Sequence, residues 1–305
     1  MSFLTAHVHM PQSGSSPWAS DAHLISNRPF RPGLIGQCAN PGCCSGWLHL
    51  FRNRATPIFE SGWTCSPECT EARVQWALRR ELDGRGVAQE MYRHRIPLGL
   101  LMLEKGWITS RQLREALEAQ RQAGSGKLGE WLIRQRATDE ITVTRALGLQ
   151  WSCPVLGAES CDPAALAPLV PRLFLDAFGA LPLRVPAGKL LYLGFEQRLD
   201  LVLALAIGRM NGLRVESGIV RSSLFRPALA RLLQESFPAT QLAEAVSETA
   251  AAHLISRSIE RDQPMDARMV RVHELIWLRM WKIRENDSVP RAASVRDLIC
   301  SIGAF

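Results

Sequence analysis

Five of the eight cysteines, Cys38, Cys43, Cys44, Cys65 and Cys69, are crowded into one short stretch, while Cys153, Cys161 and Cys300 stand alone. Crowded thiols suit one chemistry above others: as thiolates, four of them close a tetrahedron around Zn2+. The first group sits on Cys38-Ala-Asn-Pro-Gly-Cys43-Cys44, a turn, and the second on Trp63-Thr-Cys65-Ser-Pro-Glu-Cys69, which opens a helix. Thr70 to Leu82 is rich in helix formers and holds no breaker. Thiols four residues apart at a helix start face the same way, and the positive end of the helix favours thiolate. Met1 to Ser20 lacks a basic segment followed by an apolar one, so a cytoplasmic chain is expected, where crowded thiols hold metal in preference to disulfides. The expected ligands are Cys38, Cys65, Cys69 and Cys43, which is chosen because it follows the Pro-Gly turn directly, with Cys44 the fallback. Four thiolates leave no open coordination position, so the zinc is expected to be structural.

The elements that must position these thiols are a turn, strand-like pieces at Trp47 to Phe51 and Thr56 to Phe59, and the helix. This order resembles treble-clef zinc fingers, which end in an aromatic, Cys-Ser-x-x-Cys and a helix. The gap of four residues after Cys38 is wider than the usual two. The finger is expected over residues 37–83, after a Ser-, Pro- and Gly-rich segment, 1–36, expected to be disordered.

A second constellation follows, written twice with a shift of 30 residues, from Leu98-Gly99 to Leu128-Gly129. Met102 matches Leu132, Leu113 matches Val143, Ala116-Leu117 matches Ala146-Leu147, and Gln120 matches Gln150. Each copy reads as a short apolar helix, a turn and a longer helix. Thr109-x-x-Gln112 predicts a capping box, with Asp139 the matching N-cap. Gly106 falls where the first short helix should end left-handed, and Arg136 takes that place in the second copy, at a cost of about 1 kcal/mol if its φ is positive. Such a hairpin cannot bury its apolar face alone, so the copies are expected to pack about a pseudo-twofold.

The doubled motif resembles the N-terminal, MshEN-type domain of type II secretion and type IV pilus assembly ATPases. In that family two copies of Arg-Leu-Gly-x-x-Leu-…-Leu-x-x-Ala-Leu-x-x-Gln bind cyclic di-GMP. The resemblance implies a nucleotide site built from Leu98, Gly99, Leu113, Leu117 and Gln120 in one copy, with Lys127, Leu128, Gly129, Val143, Leu147 and Gln150 in the other. It extends through Leu169-Val-Pro171 and Leu181-Pro-Leu183 to about Glu235. Pro97 and Lys127 stand where the motif has arginine, and Arg95 lies near the first gap. The resemblance implies a protein partner in secretion, pilus or signalling machinery.

The family's ATPase core is not expected within these residues. In Gly124-Ser-Gly-Lys127 the residue after the lysine is Leu128, and the upstream glycine position holds Arg121, so the phosphate-loop spacing fails. No catalytic constellation is evident, the seven histidines show no ligand spacing, and no enzyme is expected. No apolar run approaches the roughly 18 residues that span a bilayer. The net charge of +7 is mostly scattered arginine, which keeps a nucleic-acid-associated zinc-finger regulator as the alternative reading.

At 305 residues, 47% hydrophobic and 21% charged, the chain has room for several cores. The expected class is α+β: the finger, the duplicated bundle over 84–153, a two-layer α/β unit over 154–238, and a C-terminal α/β unit over 239–305. The α/β unit reads as strands at Ala180 to Val185, Lys189 to Phe195 and Leu213 to Val220, with helices at Leu199 to Met210 and Leu224 to Glu235. The C-terminal unit reads as an Ala-rich helix from Thr240 to Ile259, then a hairpin of Arg268 to Val272 with Leu275 to Ile283. In that hairpin the Trp277/Trp281 face is read as core, and a last helix is expected from Ser294 to Ser301.

Overall fold

The computed structural model describes residues 38–44, 56–83, 95–158, 161–186, 189–283 and 289–303. The expected disordered segment, the strand-like Trp47 to Phe51 and residues 84–94 at the start of the expected bundle lie outside the described residues. The finger comprises a hairpin, β1 (Ile58–Phe59) and β2 (Gly62–Trp63), and the helix α1 (Pro67–Asp83).

The repeat forms α2 (Leu98–Glu104), α3 (Ser110–Ala123), α4 (Leu128–Arg134) and α5 (Glu140–Trp151). Thr109 caps α3 through a full capping box, and Asp139 accepts from the Thr142 N–H at 2.8 Å. Gly106 has φ +69°, and Arg136, its counterpart, has φ +56°. Both short helices close with the same pair of bonds, Trp107 N–H to Met102 O and Gly106 N–H to Leu103 O, then Ala137 N–H to Leu132 O and Arg136 N–H to Ile133 O. This double bond is the Schellman closure that a left-handed residue makes available. Arg136 therefore carries a strain its glycine counterpart avoids. Met102, Ile108, Ala116, Leu132, Val143 and Ala146 form the bundle core.

The next unit follows the expected order. After α6 (Pro163–Leu166) and α7 (Arg172–Phe178) come β3 (Ala180–Arg184), β4 (Leu190–Phe195), α8 (Leu201–Asn211), β5 (Arg214–Ile219) and α9 (Ser222–Leu232). β4 pairs antiparallel with β3 and parallel with β5, with α8 making the crossover. Gly212, at φ +67°, ends α8.

The C-terminal unit corrects two expectations. Thr240 to Ile259 is not one helix: it divides into β6 (Ala239–Ala245) and α10 (Glu248–Asp262), with Ser247 capping α10 through the Ala250 N–H. Ser294 to Ser301 is not a helix but the strand β9 (Val295–Ile302). With β7 (Asp266–Val272) and β8 (Leu275–Trp281) these make a sheet of order β6-β9-β8-β7. Local propensity favours helix at both places, and sheet pairing overrides it: β9 lies between β6 and β8 and is hydrogen-bonded along its length to both.

One face of this sheet meets the α/β unit through Val270, Val272, Trp277 and Ile299. The other packs Met269, Ile276, Leu278 and Cys300 against Ile255 and Ile259 of α10 and against Val74, Ala77 and Leu78 of α1. The finger helix and the last sheet thus share one core.

Two charged joints hold the layers. Arg279 of β8 and Asp297 of β9, both fully buried, face one another in register. Arg279 donates from Nε and Nη2 to the two carboxylate oxygens at 2.8 Å, and Trp277 Nε1 donates to the same carboxylate at 2.8 Å. Its Nη1 donates to Leu169 O (2.9 Å) and Asn211 Oδ1 (3.0 Å) in the α/β unit. The second joint is Glu81 of α1, which accepts from Arg209 (2.6 Å), Arg80 (2.9 Å) and the Arg271 backbone N–H (3.2 Å). Burial raises the Glu81 carboxyl, but hydrogen bonds from Arg209 and Arg80 outweigh it and hold it below the ordinary carboxylate value.

Asp297→Ala should cost about 3–5 kcal/mol of stability, because it leaves a buried guanidinium without its counter-ion. The check is urea unfolding followed by tryptophan fluorescence. A loss under about 1 kcal/mol would contradict it.

Candidate functional site

The thiols come together where hairpin, turn and helix meet. Ala39 N–H donates to Trp63 O at 2.8 Å, binding the Cys38 turn to β2, and Cys43 N–H donates to Asn40 O at 3.1 Å to close the turn. Gly62 is required at this crossing, since a Cβ there would lie 2.4 Å from the Ala39 Cβ. The Sγ atoms of Cys38, Cys43, Cys65 and Cys69 all lie within 4.8 Å of one another. Cys43 to Cys65 is 3.4 Å and Cys65 to Cys69 is 3.6 Å. In a tetrahedral site with Zn–S of about 2.3 Å the sulfurs sit about 3.8 Å apart, so the four are close enough together for one ion to be reached by all of them. Cys44 is exposed and turns its thiol to Gly42 O, away from the cluster. Asn40 Nδ2 donates to Cys69 Sγ at 3.4 Å, a supporting bond that spacing alone did not reveal. Burial, with the neighbouring thiols adding to it, pushes the Cys38 thiol up to about 12. Without a cation that thiol stays protonated, and a divalent ion would have to displace its proton.

The second candidate site is the repeat, and its helices pair across the copies. α2 packs on α5, and α3 on α4. Gln120 Nε2 donates to Gly126 O at 2.8 Å, and Gln150 Nε2 donates to Ile96 O at 2.7 Å. Ile96 and Gly126 are themselves 30 residues apart, so each copy's glutamine holds the lead-in of the other. The reciprocal bond is a structural use of these glutamines that the motif did not announce, although the same shift relates their acceptors. Gly99 and Gly129 are buried. A Cβ on Gly99 would lie 2.6 Å from Leu113 Cδ1 and 3.0 Å from Leu128 Cδ2; one on Gly129 would lie 2.8 Å from Val143 Cγ1 and 3.8 Å from Leu98 Cδ2. These glycines therefore have a packing reason within and between the copies.

Leu98, Leu113, Leu117, Leu128 and Leu147 are half-buried, Val143 is buried, and Pro97 and Lys127 are exposed at the starts of α2 and α4. Leu147 joins the bundle core to that of the α/β unit. Arg95 stacks on Trp151, 3.4 Å from the ring centroid, and donates to Gln150 O at 3.1 Å. Its guanidinium is committed to the far end of α5.

No protein-family model matches the chain, and no curated protein matches it. Among solved structures the chain is similar to MshE with cdg, at 27% identity over 45% of this chain and 99% of that one, with a TM-score of 0.38. It is also similar to the N-terminal domain of XpsE, at 18% identity over 44% of this chain and 92% of that one, TM-score 0.33. A second crystal form of that domain matches at 20% identity over 43% and 90%, TM-score 0.26. Each likeness takes in less than half of this chain.

The glycine packing is testable. Alanine normally gains about 1 kcal/mol over glycine inside a helix, while overpacking costs about 1–3 kcal/mol. At Gly129 the obstructing group is Val143, whose branched side chain cannot swing aside as Leu113 can. Gly129→Ala should therefore lower stability by about 1 kcal/mol, and Gly99→Ala by less. Thermal unfolding of both variants provides the comparison.

Proposed function

We propose that the chain is a non-catalytic binding module: a zinc-stabilised finger and a secretion-ATPase-type N-terminal domain acting as a protein adaptor, with cyclic di-GMP at most a weak ligand. The observation that carries this reading is the internal use of the motif's donors. Gln120 and Gln150 each hold a backbone carbonyl of the opposite copy, and Arg95 is stacked on Trp151. Pro97 offers no donor, which leaves Lys127 as the motif-borne cation, a point charge in place of arginine's fork. The adaptor would serve a partner in secretion, pilus or signalling machinery.

The second reading is a working cyclic di-GMP receptor, favoured by the recurrence of the motif's leucines and glycines at one shift in both copies. A ligand with twofold symmetry would suit two copies that use equivalent residues alike. Leu98, Leu113 and Leu117 would bed one guanine, and Leu128, Val143 and Leu147 the other. A nucleic-acid role has less support, because Arg80, Arg209, Arg226, Arg261, Arg268, Arg271, Arg279 and Arg296 are already ion-paired to carboxylates. A steep loss of DNA affinity with salt would revive it.

Calorimetry with cyclic di-GMP separates the first two readings. Native protein should bind weakly or undetectably. The missing arginine forfeits a charge-assisted hydrogen bond of about 1.5–3 kcal/mol, roughly a tenfold to hundredfold loss of affinity, and Pro97→Arg should recover part of it. Tight binding by the native chain, reduced by Lys127→Ala, would establish the receptor and displace the adaptor.

The finger is expected to hold one zinc per chain through Cys38, Cys43, Cys65 and Cys69, as a structural ion. Cys65→Ser should release it, whereas Cys44→Ser should not. Metal analysis alongside thiol alkylation checks this, and full alkylation of all four thiols in native protein would overturn it.

A further inference from the structure

The C-terminal sheet has two edges, and the chain treats them differently. At β7 the finger hairpin supplies a cover: Ile58 N–H donates to Pro264 O (3.0 Å) and Glu60 N–H to Ala267 O (2.7 Å). At the other edge β6 pairs with β9, and among the described residues no strand pairs with its outer side. Edge strands usually discourage pairing with lysine, proline, bulges or shortness. β6 has none of these. Its seven residues pair with β9 from Ala239–Arg296 to Ala245–Ile302 without a register shift, and Glu244 is its single charge. Ala245 O accepts from the Gly303 N–H at 2.9 Å and so points toward the β9 side. Alternation along the strand then turns the N–H and C=O groups of Thr240, Leu242 and Glu244 outward. Leu242 is 64% exposed and Val246, just beyond the strand, 68%.

We propose that β6 pairs antiparallel with β6 of a second copy, about a twofold axis through Leu242, joining two four-stranded sheets into one. The strand is self-complementary in that register. Outward backbone groups must form the hydrogen-bonded pairs of an antiparallel ladder. Setting Leu242 opposite Leu242 of the second copy also sets Thr240 opposite Glu244 and Glu244 opposite Thr240, so every outward group meets an outward group. Glu244 is kept from its own equivalent, whereas parallel pairing in register would place the two carboxylates side by side. The two leucines cover one another on the face away from α10. Because each β7 edge is covered by its own finger, the pairing closes as a dimer and cannot propagate.

Sedimentation equilibrium on the full chain tests this. The native chain should show a monomer–dimer equilibrium, and Leu242→Lys, which sets two like charges in contact, should shift it to monomer. Thr240→Lys should act oppositely: two symmetric Lys–Glu244 pairs should tighten the dimer roughly twofold to thirtyfold at low salt, with the gain fading at high salt. Because that variant is a gain, misfolding cannot mimic it. A native chain that stays monomeric at about 100 μM overturns the proposal, including the case where its own N-terminal segment or another protein occupies the edge. A dimer indifferent to Leu242→Lys overturns it as well, and a loss there without a gain from Thr240→Lys overturns the antiparallel register.

Discussion

A guanidinium out of reach of water must have its charge answered and its donors filled, and Arg279 meets that demand with groups from two units. Asp297, opposite it on β9, takes the charge through a bidentate pair. Leu169 O and Asn211 Oδ1, both in the α/β unit, take Nη1. Asn211 in turn donates to Leu169 O and Ile207 O, so the 3-10 turn Ala167–Leu169 before α7 and the end of α8 converge on one point. Such a pair adds little net stability over apolar residues of the same size. Its effect is on alternatives: slipping β9 by one residue against β8 would bury both charges without partners. The pair therefore fixes the strand register and the docking of the α/β unit together.

Glu81 does similar work between the finger helix, α8 and β7. The duplicated bundle meets the α/β unit through Leu147 and Trp151, which pack against its core, and through polar contacts at the surface. Glu140 accepts from the backbone and hydroxyl of Ser223 at 2.7 and 2.6 Å, and Arg226 reaches Glu130 at 3.3 Å, all at exposed positions.

The elements legible from sequence were those whose signals are local. The repeat announced itself because caps, left-handed turns and apolar positions all recur at one shift, and even the strained Arg136 falls where it was expected. The cysteine grouping was legible because turn and helix start are short-range features, and the Pro-Gly turn that Cys43 directly follows already favoured it over Cys44. What stayed hidden was set by long-range pairing. The alanines of β6 and the Arg296-Asp297 pair of β9 look like helix surface until β8 supplies Arg279. The motif glycines and glutamines were legible as special positions, but their packing and tethering roles depend on a neighbour from the other copy.

The shared core beneath the finger has a consequence in time. Thr70 of α1 hydrogen-bonds to Glu260 of α10, 190 residues away, and Val74, Ala77 and Leu78 are covered by elements near the end of the chain. As the chain leaves the ribosome, the finger emerges well before the surface that covers it. The repeat, built from neighbours in sequence, can complete itself in between. The finger helix therefore keeps a bare apolar flank until α10 and the strands of the last sheet have been made and can fold onto it.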